Sequence, residues 1–209
     1  MATERGEALY IQFAREPVPG QVKTRMLSAL DPAGAAELHR ELVLWTTQSL
    51  VASARAPVEL YVTGNPSSPL FEACRSSGAA AVRSQQGRDL GERMYRALAT
   101  GLETHRKVVL VGSDCPQIDP AYLAEALEAL DDHDAVLGPA ADGGYVLVGV
   151  TRIEQRWFED IEWGTSEVYA QSLARFEETG AKLAALEVLQ DIDRPEDLPL
   201  WRGIQAMGR

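Results

Sequence analysis

The chain has 209 residues, 45% of them hydrophobic and 24% charged, and its 31 acidic against 20 basic side chains leave a formal charge of −11. This composition is globular rather than disordered, and its acidity excludes partners that need a basic footprint: nucleic-acid polymers and anionic membrane surfaces. The imbalance is local, since residues 1–57 set six acids against six bases while residues 108–151 carry eight acids and no Lys or Arg. A small anionic ligand with a divalent cation stays compatible, because one patch meets its charge. No apolar run approaches the roughly 20 residues of a membrane span. The opening segment, residues 1–7, lacks the basic-then-apolar plan of a secretory leader. Two cysteines, Cys74 and Cys115, make neither a disulfide framework nor a zinc site. A cytoplasmic protein of one domain, residues 1–209, is expected.

Along the chain, residues 9–14 form a short apolar run that stops at a Pro/Gly loop, which reads as a buried strand. Residues 33–54 place Ala36, Leu38, Leu42, Trp45 and Leu50 at helical spacing, with Pro32 suited to the first turn. Residues 58–62 read as a second strand, and no element is read between 63 and 88. A helix over 89–104 leads to the most apolar strand, 108–112. Pro120 opens a helix to about Leu130, and strands follow at 135–138 and 145–150. A helix over 166–178 and a strand over 183–189 complete the series. This alternation places the chain in the α/β class, as a three-layer α/β/α sandwich around a mostly parallel, Rossmann-like sheet. Ligands in such sheets sit beyond the carboxyl ends of the strands. Function is therefore sought in the loops after them.

The first such loop, Arg15 to Arg25, fits neither the dinucleotide fingerprint nor the Walker loop. It still holds the parts of a phosphate cradle: Pro17 and Pro19 stiffen it, Gly20 admits close approach, and Lys23 and Arg25 donate. A solvated turn is the alternative. In Gly112-Ser113-Asp114-Cys115-Pro116, Asp114 ends the central strand where a metal or ribose contact belongs, and Mg²⁺ takes one or two such carboxylates. Turn capping is the plainer role, and Cys115 reads as a packing residue. The pair Gly143-Gly144 suits a ligand close to the main chain, yet Asp142-Gly143 is also a strong hairpin signal, and taken alone the hairpin is the better reading. Thr165 or Ser166 suits a helix cap and, secondarily, an anion site. Asp191 and Asp193 share one side if extended, whereas Glu196 and Asp197 read as structural acids of a first helical turn behind Pro195.

Taken in order, these loops resemble a known family. Phe13-Ala14-Arg15, Pro17-Val18-Pro19-Gly20-Gln21-Val22-Lys23-Thr24-Arg25-Met26, Asp89-Leu90-Gly91-Glu92-Arg93-Met94, Gly112-Ser113-Asp114-Cys115-Pro116, Gly138-Pro139-Ala140-Ala141-Asp142-Gly143-Gly144-Tyr145, Trp163-Gly164-Thr165-Ser166 and Asp191-Ile192-Asp193-Arg194-Pro195-Glu196-Asp197-Leu198 resemble the radical-SAM/selenodomain-associated transferases. Those are glycosyltransferase-like proteins of GT-A fold in the nucleotide-diphospho-sugar transferase superfamily. Two of the segments are also similar to phospholactate guanylyltransferase and the molybdenum-cofactor nucleotidyltransferases. The resemblance implies a metal-dependent transferase with an NTP or nucleotide-sugar donor and a small-molecule acceptor; a homodimer is compatible with it. It implies nucleotide contacts at Ala14, Arg15, Pro19, Gly20, Lys23, Arg25, Asp89, Gly91 and Asp114, and Mg²⁺ or Mn²⁺ on Asp114 and Asp193. Acceptor contacts would fall to Asp142, Gly143, Gly144, Thr165 and Ser166, with Lys23, Arg25, Asp114 and Asp142 carrying the chemistry. Glycosyltransferases of this fold commonly place Asp-x-Asp where this chain has Ser113-Asp114-Cys115, which favours nucleotidyl over glycosyl transfer. A nucleotide-binding module without turnover is the non-enzymatic alternative.

Overall fold

Strand β1 (Gly6–Arg15) is the spine of the fold. Leu9, Ile11 and Phe13 enter one core cluster and Ala8, Tyr10 and Ala14 the other, so residues 8–14 are apolar apart from Gln12 because both faces of the strand are covered. The structure is a computed structural model that describes residues 5–208; residues 1–4 of the opening segment, and Arg209, lie outside the described residues. β1 is joined by β2 (Val58–Thr63), β3 (Ala81–Ser84), β4 (His105–Val111), β5 (Ala135–Pro139), β6 (Tyr145–Val150) and β7 (Leu183–Ala185) in one sheet of order β3-β2-β1-β4-β6-β5-β7. β6 alone among these seven runs antiparallel to its neighbours, and the other pairings are parallel.

Helices α1 (Pro32–Ala52), α2 (Pro69–Ser76) and α4 (Pro120–Asp132) pack on one face of the sheet, and α3 (Leu90–Thr104) and α5 (Val168–Glu178) on the other. Helix α6 (Leu198–Met207) brings Trp201 into a third cluster with Met26, Leu38, Leu42 and Ile192. The three-layer sandwich expected from the alternation is thus present. Three of the surplus acids are helix caps: Asp31, Asp89 and Asp119 accept from the backbone N–H of Gly34, Glu92 and Tyr122 at 2.6, 2.8 and 2.8 Å. None of the helices among the described residues is long and apolar enough to cross a membrane.

Some details depart from the sequence reading. Residues 63–88, read without elements, contain α2 and β3. The helix is only 8 residues long and the strand only 4, half of it exposed, so neither leaves a periodic signal. Asp142-Gly143 does make a hairpin, between β5 and the antiparallel β6. Helix α5 begins two residues later than expected, so Thr165 and Ser166 precede its cap position, Glu167; Thr165 Oγ1 still accepts from the Glu167 N–H at 3.3 Å. The last strand is 183–185, after which Leu189 only bridges to Ala140.

Candidate functional site

The strand order turns back between β1 and β4: the chain runs from β1 outward to β2 and β3, then returns to lay β4 on the other side of β1. Such a switch point opens a crevice at the carboxyl ends of the two strands. A buried polar network fixes its floor. Gln12 Nε2 donates to the Val43 carbonyl (3.0 Å) and to Ser113 Oγ (2.9 Å), and its Oε1 accepts from Thr47 Oγ1 (2.7 Å). Ser113 Oγ in turn donates to the Phe13 carbonyl at 2.7 Å. Every partner is satisfied, which makes the network rigid and holds the turn that carries Asp114.

Above this floor three loops meet. Lys23 has left-handed backbone (φ 49, ψ 39), a conformation that favours glycine, and its side chain is only 3% exposed. Its Nζ lies 2.7 Å from Asp114 Oδ1, donates to the Ile192 carbonyl, and is 3.9 Å from Asp193 Oδ1. Arg25 is the outward cation: it is 54% exposed, and its guanidinium donates to Asp193 Oδ2 at 2.5 Å. Burial opposes ionisation of Asp114, but the Lys23 ammonium and the His39 ring outweigh it, so the carboxyl is held below its usual range. His39, on α1, donates through Nε2 to the Arg15 carbonyl (3.0 Å), and its Nδ1 stands 3.9 Å from Asp114 Oδ1. Burial lowers its pKa in spite of the nearby Asp114.

Two cavities flank this junction. The first, about 320 Å³, is lined by Ala14, Arg15, Thr63, Gln85, Arg93 and Asp114 among others. The second, about 340 Å³, is lined by Arg25, Asp142, Thr165, Ser166, Asp191 and Asp193. A smaller apolar pocket shares Leu90, Met94 and Tyr145 with the first and Arg25, Asp142 and Thr165 with the second, so the three form one trough. Tyr145 and Trp163 meet edge-on in its wall, with ring centroids 6.3 Å apart. Burial, then the carboxylates of Asp142 and Asp114, push Asp191 up to about 6.

The structure therefore gathers Arg15, Lys23, Arg25, Asp114, Asp142, Thr165, Ser166 and Asp193 around one trough, with Pro19 and Gly20 on the exposed crest of the first loop. Two expected nucleotide residues lie elsewhere. Asp89 caps α3 and lines a separate groove with Glu92 and Tyr95. Gly91 is buried where a Cβ would fall 2.3 Å from the Phe158 carbonyl, so it is small for packing. Leu90, Arg93 and Met94 are the members of that segment lining the first cavity. Asp142 Oδ1 accepts from the Gly144 N–H at 2.9 Å, and Gly143 (φ +91) is pressed against the Ser166 backbone; these residues shape the turn as well as facing the trough. Cys115 is buried and its thiol is pushed up to about 12 by burial, as suits a packing residue. Among the described residues no group of three or more His, Cys, Asp or Glu is arranged to hold a metal ion. Sequence reasoning missed Gln12 and His39. Their one signal is a polar residue set inside an otherwise apolar strand or helix face.

Residues 46–165 match a bacterial family described as "Uncharacterized protein conserved in bacteria (DUF2064)". A Desulfovibrio desulfuricans G20 protein, assigned provisionally as a nucleotide-diphospho-sugar transferase, superposes with a TM-score of 0.80 at 31% identity, over 90% of this chain and 83% of that one. CMP:2-keto-3-deoxy-manno-octonic acid synthetase, solved with CTP, gives 0.61 at 15% identity over 98% and 100%. Rv0371c of Mycobacterium tuberculosis, solved with manganese, gives 0.53 at 17% identity over 96% and 98%. The fold is that of the nucleotide-diphospho-sugar transferases and nucleotidyltransferases. No curated protein matches the sequence.

Proposed function

This chain belongs to the DUF2064 family, and from that premise we propose a transferase that takes an NTP or a nucleotide-sugar as donor and a small molecule as acceptor, with nucleotidyl transfer the preferred reaction. One observation carries the reading: the cationic first loop and Asp114 converge at the β1–β4 crevice, between a cavity of about 320 Å³ and a second, carboxylate-lined one of about 340 Å³. The fold shared with a synthetase solved with CTP supports the donor class.

In this reading the base lies in the cavity of Ala14, Thr63 and Gln85, and the phosphates cross the loop crest at Pro19 and Gly20. Arg15 and Arg25 neutralise them from the exposed side. Lys23 acts from beneath, where its ammonium orients Asp114. An acceptor oxygen, seated near Asp142, Gly143, Gly144, Thr165 and Ser166, attacks the α-phosphorus; the new P–O bond forms as the bond to pyrophosphate breaks, and pyrophosphate leaves on the arginine side. Such chemistry depends on positioning and charge neutralisation more than on a covalent group. The carboxylates named for Mg²⁺ or Mn²⁺ fit a free ion poorly as they stand, because Asp114 is paired with Lys23 and Asp193 with Arg25. A single domain acting in the cytoplasm completes the proposal.

Glycosyl transfer is the second reading, favoured by the likeness to the D. desulfuricans protein. There the departing group is a nucleoside diphosphate and Asp142 serves as base. A thermal-shift panel of NTPs and nucleotide-sugars, with and without Mg²⁺ or Mn²⁺, tests the donor class, since a bound ligand raises apparent stability by mass action. If no nucleotide in the panel shifts the melting temperature, the proposal fails. Assaying pyrophosphate against nucleoside diphosphate then separates the two reactions.

A further inference from the structure

The oxygens that a divalent ion would seek are already gathered around a cation that belongs to the chain. The Lys23 ammonium has three protons and faces three oxygens from two other loops: Asp114 Oδ1 at 2.7 Å, the Ile192 carbonyl, and Asp193 Oδ1 at 3.9 Å. Arg25 holds the remaining oxygen of Asp193 at 2.5 Å. The placement of Lys23 is built in rather than incidental. Its backbone adopts a left-handed conformation that glycine would adopt more easily, its side chain is 3% exposed, and its carbonyl starts the next turn by accepting from the Met26 N–H at 2.9 Å. The Ile192 N–H donates to the Asp114 carbonyl at 2.7 Å, so the two acidic loops that flank the ammonium are also bonded to each other.

We propose that Lys23 is a tethered cation filling the place between Asp114, the Ile192 carbonyl and Asp193, so that a divalent ion gains these oxygens only when Lys23 leaves them. An ion entering while the ammonium is in place would meet a like charge at contact distance. The inference goes beyond the transferase reading and does not depend on it, because it concerns the protein without nucleotide.

Titration of the nucleotide-free full chain with Mn²⁺, followed by electron paramagnetic resonance, tests it. The wild type should show no saturable site that Asp114→Asn removes. Lys23→Met keeps the length of the stem and deletes the charge, and should bind one Mn²⁺ at least about tenfold more tightly than the wild type. Adding Asp114→Asn to Lys23→Met should abolish that gain. A wild-type Mn²⁺ site that disappears in Asp114→Asn overturns the proposal. So does a Lys23→Met protein that melts cooperatively and gains no Mn²⁺ affinity. Should Lys23→Met fail to fold, the comparison of wild type with Asp114→Asn decides alone. A thermal shift with nucleotide in the same preparation keeps the donor reading separately testable.

Discussion

Gln12 and Ser113 lie 101 positions apart in sequence and meet through a 2.9 Å hydrogen bond at the bottom of the crevice. That bond ties β1 to the turn after β4, the turn that carries Asp114. Gln12→Leu should therefore cost about 2–3 kcal/mol, the scale of leaving buried hydrogen-bonding groups without partners. Urea denaturation measures it. A loss near zero would mean that the network is ornamental.

Asp191 gives the stability a predictable pH dependence. Its folded-state pKa is raised from 3.8 to about 6, so the folded protein binds the proton more tightly than the unfolded chain. The stability this contributes is fully present below 3.8 and is lost as pH rises through about 6. Asp191→Asn should be more stable than wild type at pH 8, by about 1–3 kcal/mol on the scale of 1.4 kcal/mol per pKa unit, and no more stable at pH 3. Melting curves at the two pH values check the sign. The same gain at both would refute the proposed origin.

Arg25→Ala should weaken binding of a nucleoside triphosphate by about 1.5 kcal/mol, roughly tenfold in Kd, with the larger effect at low salt because Arg25 is exposed. Arg40→Ala is the control, since Arg40 is paired with Glu37 on the surface of α1. Isothermal titration with both variants distinguishes a local phosphate contact from a general charge effect.

Gly143 and Gly164 both have positive φ, at +91° and +87°, but their surroundings differ. A Cβ on Gly143 would lie 2.2 Å from the Ser166 carbonyl oxygen, whereas one on Gly164 meets nothing within 4 Å. Gly143→Ala should cost about 2 kcal/mol or more and lower Tm by roughly 4–8 °C; Gly164→Ala should cost about 1 kcal/mol, from backbone strain alone. Equal losses would show that the packing of the hairpin against residue 166 contributes nothing.

The elements most legible in the sequence were those buried on both faces. The stretches 8–14 of β1, Gln12 apart, and 108–111 of β4 are apolar on both faces of the pleat because helices cover both sides of the sheet. The direction of β6 was not legible as such. Side-chain pattern does not encode strand polarity, and only the Asp142-Gly143 turn hinted at it. At the site, reading the residues that follow each strand singled out Lys23, Arg25 and Asp114, and the family resemblance added Asp193; the structure brings the four together. Their pairing was not legible, because which carboxylate an ammonium takes depends on how three loops close. Within 89–94 the sequence does not tell which side chains face the cavity, because successive helical residues point in different directions: Leu90, Arg93 and Met94 line it, while Asp89 caps α3 and Gly91 is packed against Phe158.

The bond from Lys23 to the Ile192 carbonyl spans 169 positions. One ammonium is thus a clasp between segments that share no strand pairing: it fastens the loop after β1 both to the turn after β4 and to the loop at 190–194, which the ladder of the sheet leaves unlinked.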